Sequence, residues 1–303
     1  MTVLIVGATG LIGKSLVKSC LSRGWRVHFL TTRKGQLNQI DGAYGFLWNI
    51  DQSFIDKACF DGVSVVVNLA GTPVSLPWRK ANKRKILNSR ILGARLLNDT
   101  LAALKGHQVQ RYIGASGISG YPSHPSHCYQ ERDAADAATF LGDVVRQWED
   151  AALSFKILGM SVAMVRTGLV LAPNGGVLSQ IAQPIKMGFG AVLGQGKQWQ
   201  SWIHIDDITA VYEYLMEATS QGVYNGVSPS PVQHDTMTYA IAKQCRRRII
   251  LPKAPRFALR LLLGERSALV LESQCVHPDR LMKENFNFKY TTLVSALKDL
   301  LPQ

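Results

Sequence analysis

The chain predicts an α/β fold of the Rossmann type, a doubly wound parallel sheet with a small C-terminal substrate lobe. Three observations carry this reading. A wholly apolar strand runs straight into a glycine turn and an amphipathic helix. A second apolar run follows within about 30 residues, the length of a βαβ unit. Apolar runs then keep alternating with helical periodicity through the first half of the chain.

Residues Thr2 to Val6 are short, branched and apolar, as in a strand buried on both faces of a parallel sheet. The turn Gly7-Ala8-Thr9-Gly10-Leu11-Ile12-Gly13 follows. Leu11, Ile12, Leu16, Val17 and Leu21 then recur at helical spacing until Gly24 supplies a stop. Trp25 to Leu30 is the second strand. A strand near Gly45 to Trp48, a short helix from Asp51 and the apolar run Val63 to Leu69 continue the alternation. A long helical stretch from Trp78 to Leu104, with room for a break, leads to a strand at Arg111 to Ala115 and a turn-rich loop from Ser116 to about Arg132. A helix near Leu141 to Phe155 and a strand at Ser161 to Leu171 complete the regular part.

After Pro173-Asn174-Gly175-Gly176 the alternation breaks up, and glycines punctuate the chain before Trp202 to Asp207. Asp206 or Asp207 is placed to cap the helix running toward Ala218. The expected division is a nucleotide-binding domain over 1–225, with 172–203 contributing to the substrate lobe, and that lobe over 226–303.

The charge balance is 34 Lys and Arg against 21 Asp and Glu, a net +13. It favours anionic partners and does not choose between a phosphorylated cofactor and a nucleic acid. The five cysteines (Cys20, Cys59, Cys128, Cys245, Cys275) are widely spaced and form no C-x-x-C pair, so a reducing compartment is the default. Met1 runs at once into the first strand, which leaves no room for a leader. No apolar run reaches the roughly 18 residues of a membrane helix, because Arg260, Glu265 and Arg266 interrupt the best candidate. A soluble, cytoplasmic protein without a membrane partner is expected.

The glycine turn carries the chemistry because of where it sits, between a buried strand and a helix. Gly7 permits the tight turn, Gly10 lets a diphosphate approach the backbone, and Gly13 lets helix and strand pack closely. The helix N-terminus presents free N–H groups and a partial positive charge. At the end of the second strand, where a free ribose hydroxyl would call for Asp or Glu, the chain has Thr31-Thr32-Arg33-Lys34. Arg33 suits a 2′-phosphate, so NADP(H) is expected over NAD(H).

The motif Gly7-x-x-Gly10-x-x-Gly13, the Asn68-Leu69-Ala70-Gly71 turn, Ser116 after the fifth strand and the Trp202 to Asp207 segment resemble the extended short-chain dehydrogenase/reductases. Arg166-Thr167-Gly168-Leu169-Val170-Leu171, Asn174-Gly175-Gly176 and Leu259 to Glu265 look like its YfcH-like subgroup. Proteins of that subgroup are usually described as NAD-dependent epimerase/dehydratase or epimerase-family proteins, with family 39U member 1 as a mammalian relative. The resemblance covers nearly the whole chain and makes the segment from about 250 family-specific. It implies bound NADP(H), with pyrophosphate contacts at Thr9, Gly10, Leu11 and Ile12 and a 2′-phosphate contact at Arg33 beside Thr32. It puts adenine near Asn49 and Ile50, the nicotinamide ribose along Leu69, Ala70 and Gly71, and the carboxamide near Thr167 to Leu169. Many extended relatives pair through helices beside the sheet, which admits a homodimer.

The superfamily's catalysis rests on Ser, Tyr and Lys, the last two as Tyr-x-x-x-Lys. Ser116 fits the first role, but Leu141 and Val145 stand at the Tyr and Lys positions. The motif that does exist, Tyr239 to Lys243, lies on a different, C-terminal helix. Tyr121, five residues after Ser116 on a loop expected at the site mouth, is the candidate replacement, with Tyr129, His124 and His127 close in sequence. Arg90 stands where relatives carry Asn and can reach the nicotinamide pocket or pack on its helix.

No metal site is expected, since Pro125 separates His124 from His127 and Cys128 and no further ligand cluster follows. His204 reads as a core hydrogen-bonding residue. Arg246-Arg247-Arg248 and the basic helix near Lys83 lack an aromatic RNA-binding signature, so they read as solvated surface. Two function classes follow: an NADP-dependent oxidoreductase or epimerase acting on an unknown small molecule with a non-standard site, and an NADP(H)-binding sensor or scaffold with little catalysis. Links of some relatives to cell or plastid division keep the second class in play.

Overall fold

The computed structural model describes residues 1–173 and 175–302. Asn174, quoted above as part of the family pattern, lies outside them. In chain order the strands and helices are β1 (Thr2–Val6), α1 (Leu11–Ser22), β2 (Arg26–Thr31), β3 (Ala43–Asn49), β4 (Phe54–Ile55), β5 (Val65–Asn68), α2 (Lys80–Ala103), β6 (Arg111–Gly117), β7 (Cys128–Tyr129), α3 (Phe140–Leu153), β8 (Ser161–Thr167) and β9 (Leu169–Leu171). There follow α4 (Gly176–Lys186), β10 (Trp199–Gln200), β11 (Trp202–His204), α5 (Ile205–Glu217), β12 (Gly222–Gly226), β13 (Val232–Gln233), α6 (His234–Gln244), α7 (Arg256–Leu263), α8 (Ala268–Leu271), β14 (Cys275–Val276), α9 (Asp279–Lys283) and α10 (Leu293–Leu300).

The chain divides into two compact units that interleave in sequence. The first comprises 1–116, 143–165 and 209–223; the second comprises 117–142, 166–208 and 224–303. The first is built on an eight-stranded sheet of order β12-β8-β6-β5-β1-β2-β3-β4, and its boundaries fall inside β8 and β12. β1 lies between β2 and β5 and is parallel to both, with Val3 opposite Val27 and Val65. Strand order reverses beside β1, the switch point at which such sheets open a crevice at their C-terminal ends.

The first unit's core joins Leu4, Val6, Val66 and Tyr112 of the strands to Ile91, Ala94 and Leu97 of α2, Ala151 and Ala152 at the end of α3, and Phe155 in the turn that follows it. This accounts for the helical spacings: α2 and α3 each turn one apolar stripe to the sheet and leave most of their charge outside, buried Arg90 of α2 excepted. α2 runs unbroken through Gly93. The short helix expected from Asp51 is instead a hairpin, with Trp48 opposite Ile55 and Asn49 opposite Phe54 in antiparallel register. Its turn is closed by Asn49 Oδ1, which accepts from Gln52 N at 3.1 Å. The strand expected to run from Ser161 to Leu171 breaks at Gly168, whose N–H bonds Gly226 O, and resumes as β9 paired with β11.

The second unit is assembled from short pieces. Asp206 and Asp207 fall in the first turn of α5 rather than at its cap. Buried Asp207 instead accepts from Lys289 N at 2.7 Å and Tyr290 N at 3.0 Å, with burial pushing its carboxyl pKa up. His204 is buried as expected: Nδ1 accepts from Asp206 N at 3.0 Å and the ring stacks on Tyr290.

The cysteines require a correction. Cys128 and Cys275, 147 residues apart, form a disulfide, because β7 and β14 pair in register and place them opposite one another. Cys20, Cys59 and Cys245 are free. No helix among the described residues is long and apolar enough to cross a membrane.

Candidate functional site

The first unit carries a groove of about 480 Å³ at the C-terminal ends of β1, β2 and β5, lined by the glycine turn, Arg33 and the segment Leu69 to Gly71. Three glycines shape it in three ways. Gly7 has φ +85°, and a Cβ there would lie 2.9 Å from Ala70 N and Leu69 C, so a side chain is barred by both conformation and space. A Cβ on Gly13 would meet Gly7 O at 2.2 Å and Ala8 Cα at 2.8 Å, which fixes how closely α1 sits on the turn. Gly10 is different: its φ is an ordinary −72°, and a Cβ would meet only Gly7 O at 3.3 Å. The space above Gly10 is therefore kept open without serving the protein's own packing.

α1 starts here with no side-chain cap and no acid in its first turn. Its first i→i−4 bond runs from Lys14 N to Gly10 O at 2.9 Å, so the N–H groups of Leu11, Ile12 and Gly13 precede the helical ladder. Uncapped donors and the positive end of the helix dipole thus meet at one open spot, which suits an anion.

At the end of β2, Thr31, Thr32 and exposed Arg33 line the groove. The Arg33 backbone N–H donates to Thr31 Oγ1 at 3.3 Å. Arg33 is the one charged residue of the described lining, which contains no carboxylate. Gln36, Gln39 and Trp48, which sequence reasoning missed, complete this side. Asn49 and Ile50, expected beside adenine, do not line it. Along a strand successive side chains point to opposite faces, so Trp48 and Asn49 part; Ile50 lines a second groove, of about 840 Å³, with Phe54 and Leu92.

The opposite wall is held from behind. Leu69 N donates to Val6 O at 2.8 Å, and Asn68 Oδ1 accepts from Ala70 N at 3.2 Å while Asn68 Nδ2 donates to Tyr112 OH. Arg90 is buried beneath Gly71, where Nη1 donates to Thr72 O at 3.0 Å and to Ile86 O at 2.9 Å. Ser89 Oγ accepts from Thr72 N at 2.9 Å, so one turn of α2 grips both polar groups of Thr72. The Arg90 guanidinium lies 4.8 Å over Trp148, and burial draws its pKa down to about 10. It braces the segment Leu69 to Thr72 from behind and does not line the groove.

The two expected proton carriers are internally committed. Ser116 is buried at the end of β6, and its hydroxyl donates to Glu149 of α3 at 2.6 Å. Tyr121, expected at a site mouth, lies in the interior of the second unit with no exposed surface. Its hydroxyl meets Arg166 Nη1 at 2.9 Å, Asn225 Oδ1 at 2.9 Å and Gln130 O at 3.1 Å. Burial pushes its phenol pKa up, and the Arg166 cation and hydrogen bonds oppose that only in part. The reason for the correction is the long-range partners, which turn a loop tyrosine into a core one. Leu141 and Val145 are buried on α3. Thr167 and Leu169 flank the Gly168 break, where Leu169 N donates to Ser201 O at 2.8 Å. His124 closes a turn, its Nδ1 accepting from Ser126 N and His127 N. Arg246, Arg247 and Arg248 are exposed at the end of α6, and Tyr239 is half exposed on it.

Comparison with known proteins agrees with this geometry. Residues 3–228 match the model of the NAD dependent epimerase/dehydratase family, and residues 254–300 match a domain of unknown function. The chain is 34% identical over 307 residues to the Arabidopsis thaliana epimerase family protein SDR39U1 homolog, chloroplastic, covering 99% of this chain and 87% of that protein. It is 33% identical to the epimerase family protein SSP1921 of Staphylococcus saprophyticus, with 98% of each covered. The crystal structure of human epimerase family protein SDR39U1 with NADPH superposes with a TM-score of 0.86 at 25% identity, covering 99% of both chains.

Proposed function

Because the chain belongs to the NAD-dependent epimerase/dehydratase family, we propose that it binds NADP(H) in the glycine-turn groove and serves hydride chemistry on an unknown small molecule. The observation that carries this is the groove lining: an open glycine cradle at an uncapped helix N-terminus, with Arg33 as the one cation and no carboxylate among the described residues. The similarity to a human protein crystallised with NADPH supports the same choice.

The residues fit the cofactor. The N–H groups of Leu11, Ile12 and Gly13 would hold a diphosphate, and Arg33 with Thr32 would take the 2′-phosphate, on a groove that Trp48 also lines. Thr9, Gly10, Leu69, Ala70 and Gly71 set the walls, and Arg90 with Ser89 holds the second wall rigid. When bound, NADPH would donate a hydride and NADP⁺ would accept one. Proton transfer differs from the family pattern, since Leu141 and Val145 carry no titratable group and the hydroxyls of Ser116 and Tyr121 are held inside the protein.

Those same commitments favour a second reading, an NADP(H)-binding sensor or scaffold with little chemistry. Absorbance of bound NADPH during exposure to nucleoside diphosphate sugars, ketones and quinones separates the two. Oxidation by any of them supports the enzyme, and inertness with tight binding supports the sensor.

Cofactor choice is tested by calorimetry. NADPH is expected to bind more tightly than NADH, and Arg33→Asp to weaken NADPH at least tenfold, about 1.4 kcal/mol, while leaving NADH little changed. Equal affinity for the two cofactors in the unmodified protein would refute the role given to Arg33.

A further inference from the structure

The disulfide has a neighbour that its own chemistry does not require. The Sγ atoms of Cys128 and Cys275 and a ring nitrogen of His277 all lie within 4.8 Å of one another. The fold imposes this grouping. β7 and β14 pair in parallel with Cys128 opposite Cys275, and His277, two residues beyond Cys275, returns to the same face of the ribbon. The His277 backbone is fixed on both sides, its N–H donating to Tyr129 O at 2.9 Å and its carbonyl accepting from Asn225 Nδ2 at 2.9 Å. Neither imidazole nitrogen has a hydrogen-bond partner among the described residues.

We propose that Cys128, Cys275 and His277 form a thiol-gated site for a zinc-class divalent cation, closed while the disulfide is intact and opened by its reduction. A small-molecule thiol or phosphine supplies two electrons, and with two protons the S–S bond becomes two thiols. The cation displaces both thiol protons as it binds, so two protons leave for each ion taken up. The neutral imidazole completes a Cys₂His set, a known zinc donor combination that leaves a fourth position for water or another ligand.

The geometry allows the change at small cost. Sulfurs bound to a tetrahedral zinc stand about 3.7 Å apart, given Zn–S bonds near 2.3 Å. The side chains must therefore part from bonding distance, with the backbone register already correct. Cys275 is buried while Cys128 and His277 are half-buried, so the site is shielded on one side and open on the other. The thiolate and imidazole donor set selects zinc or cobalt(II) over magnesium or calcium, which take oxygen ligands.

The full-length protein, reduced with a phosphine and freed of it anaerobically, is titrated with Co²⁺ and then Zn²⁺. A thiolate-to-cobalt charge-transfer band saturating at one ion per chain and bleached by zinc is expected in the reduced protein and not in the oxidised one. Cys128→Ser should abolish the band. His277→Ala leaves both backbone bonds in place and should weaken cobalt binding at least tenfold. Cys245→Ser serves as the control, with the band unchanged. The absence of a band in the reduced protein, or one indifferent to both Cys128→Ser and His277→Ala, would show a plain disulfide with a bystander histidine and overturn the proposal.

Discussion

The glycine turn of the first unit and the tyrosine cluster of the second are both polar centres, and they dispose of their hydrogen-bonding groups in opposite ways. Around Gly10 the helix N–H donors are uncapped, and Arg33 is exposed at the same groove. Around Tyr121 every strong group has a partner: the hydroxyl meets Arg166, Asn225 and Gln130 O, and Gln274 Nε2 donates to the Tyr121 carbonyl at 2.8 Å. Glu131 joins in by accepting from Asn225 N at 3.0 Å and Arg280 N at 3.2 Å. Donors left open beside an open groove can serve a ligand. Donors closed on one another specify a core, since each lost partner leaves a buried polar group unsatisfied.

The comparison breaks most visibly by substitution. Gly13→Ala drives a Cβ to 2.2 Å from Gly7 O, backbone against backbone, and should destabilise the fold by about 3 kcal/mol in urea denaturation. Tyr121→Phe deprives Arg166 and Asn225 of the hydroxyl between them. It should cost about 2 kcal/mol while the NADPH affinity of the folded protein stays within about twofold. A Tyr121→Phe protein of full stability would show that the cluster is not the second unit's keystone. Gly10→Ala should do the reverse, with stability changed by less than about 1 kcal/mol and NADPH affinity lowered at least tenfold, because the new methyl occupies ligand space. Unchanged NADPH binding there would remove the turn from the site.

The same contrast explains what the residue order disclosed. The glycine turn was legible because all its determinants are local: an apolar strand, three glycines and a helical stripe fall within the first 24 residues, and the structure reproduces each. The place of Arg33 on the groove lining was legible for the same reason, since it lies two residues beyond the end of the next strand. The role of Arg90 was legible only in part: its place on α2 was clear, but the carbonyl it grips, Thr72 O, is fixed by tertiary packing. Tyr121 was misplaced because two of the partners that bury it lie 45 and 104 residues away. The Cys128–Cys275 bond was invisible because a separation of 147 residues carries no distance information until β7 and β14 pair. Asn49 and Ile50 were expected on the same groove as the glycine turn, but the alternation of β3 brings Trp48 to that lining, and which residue takes which face is set by pairing with β2.

The smallest expected effect concerns protons. His204 and His234 of the second unit are buried, and for each burial draws the imidazole pKa below its ordinary value, opposed for His234 by the Asp235 carboxylate. A lowered folded pKa means that the unfolded chain binds more protons as pH falls below about 6.5, so stability is full above that value and is lost on acidification. No single group can contribute a slope steeper than about 1.4 kcal/mol per pH unit. No imidazole lines the glycine-turn groove among the described residues, so protonation of these histidines acts on the fold and leaves the groove's charge alone. Urea midpoints at pH 7.5 and 5.5 should therefore fall together with acid in the unmodified protein, and His234→Asn should flatten that fall whatever it does to stability at pH 7.5. The pH difference is the informative quantity, because the lost contact between His234 Nε2 and Thr238 Oγ1 lowers both midpoints alike. A variant with the full acid sensitivity of the parent would mean that His234 takes up its proton in the folded state as readily as in the unfolded one, and that the second unit's closed polar core extends no further than the Tyr121 cluster.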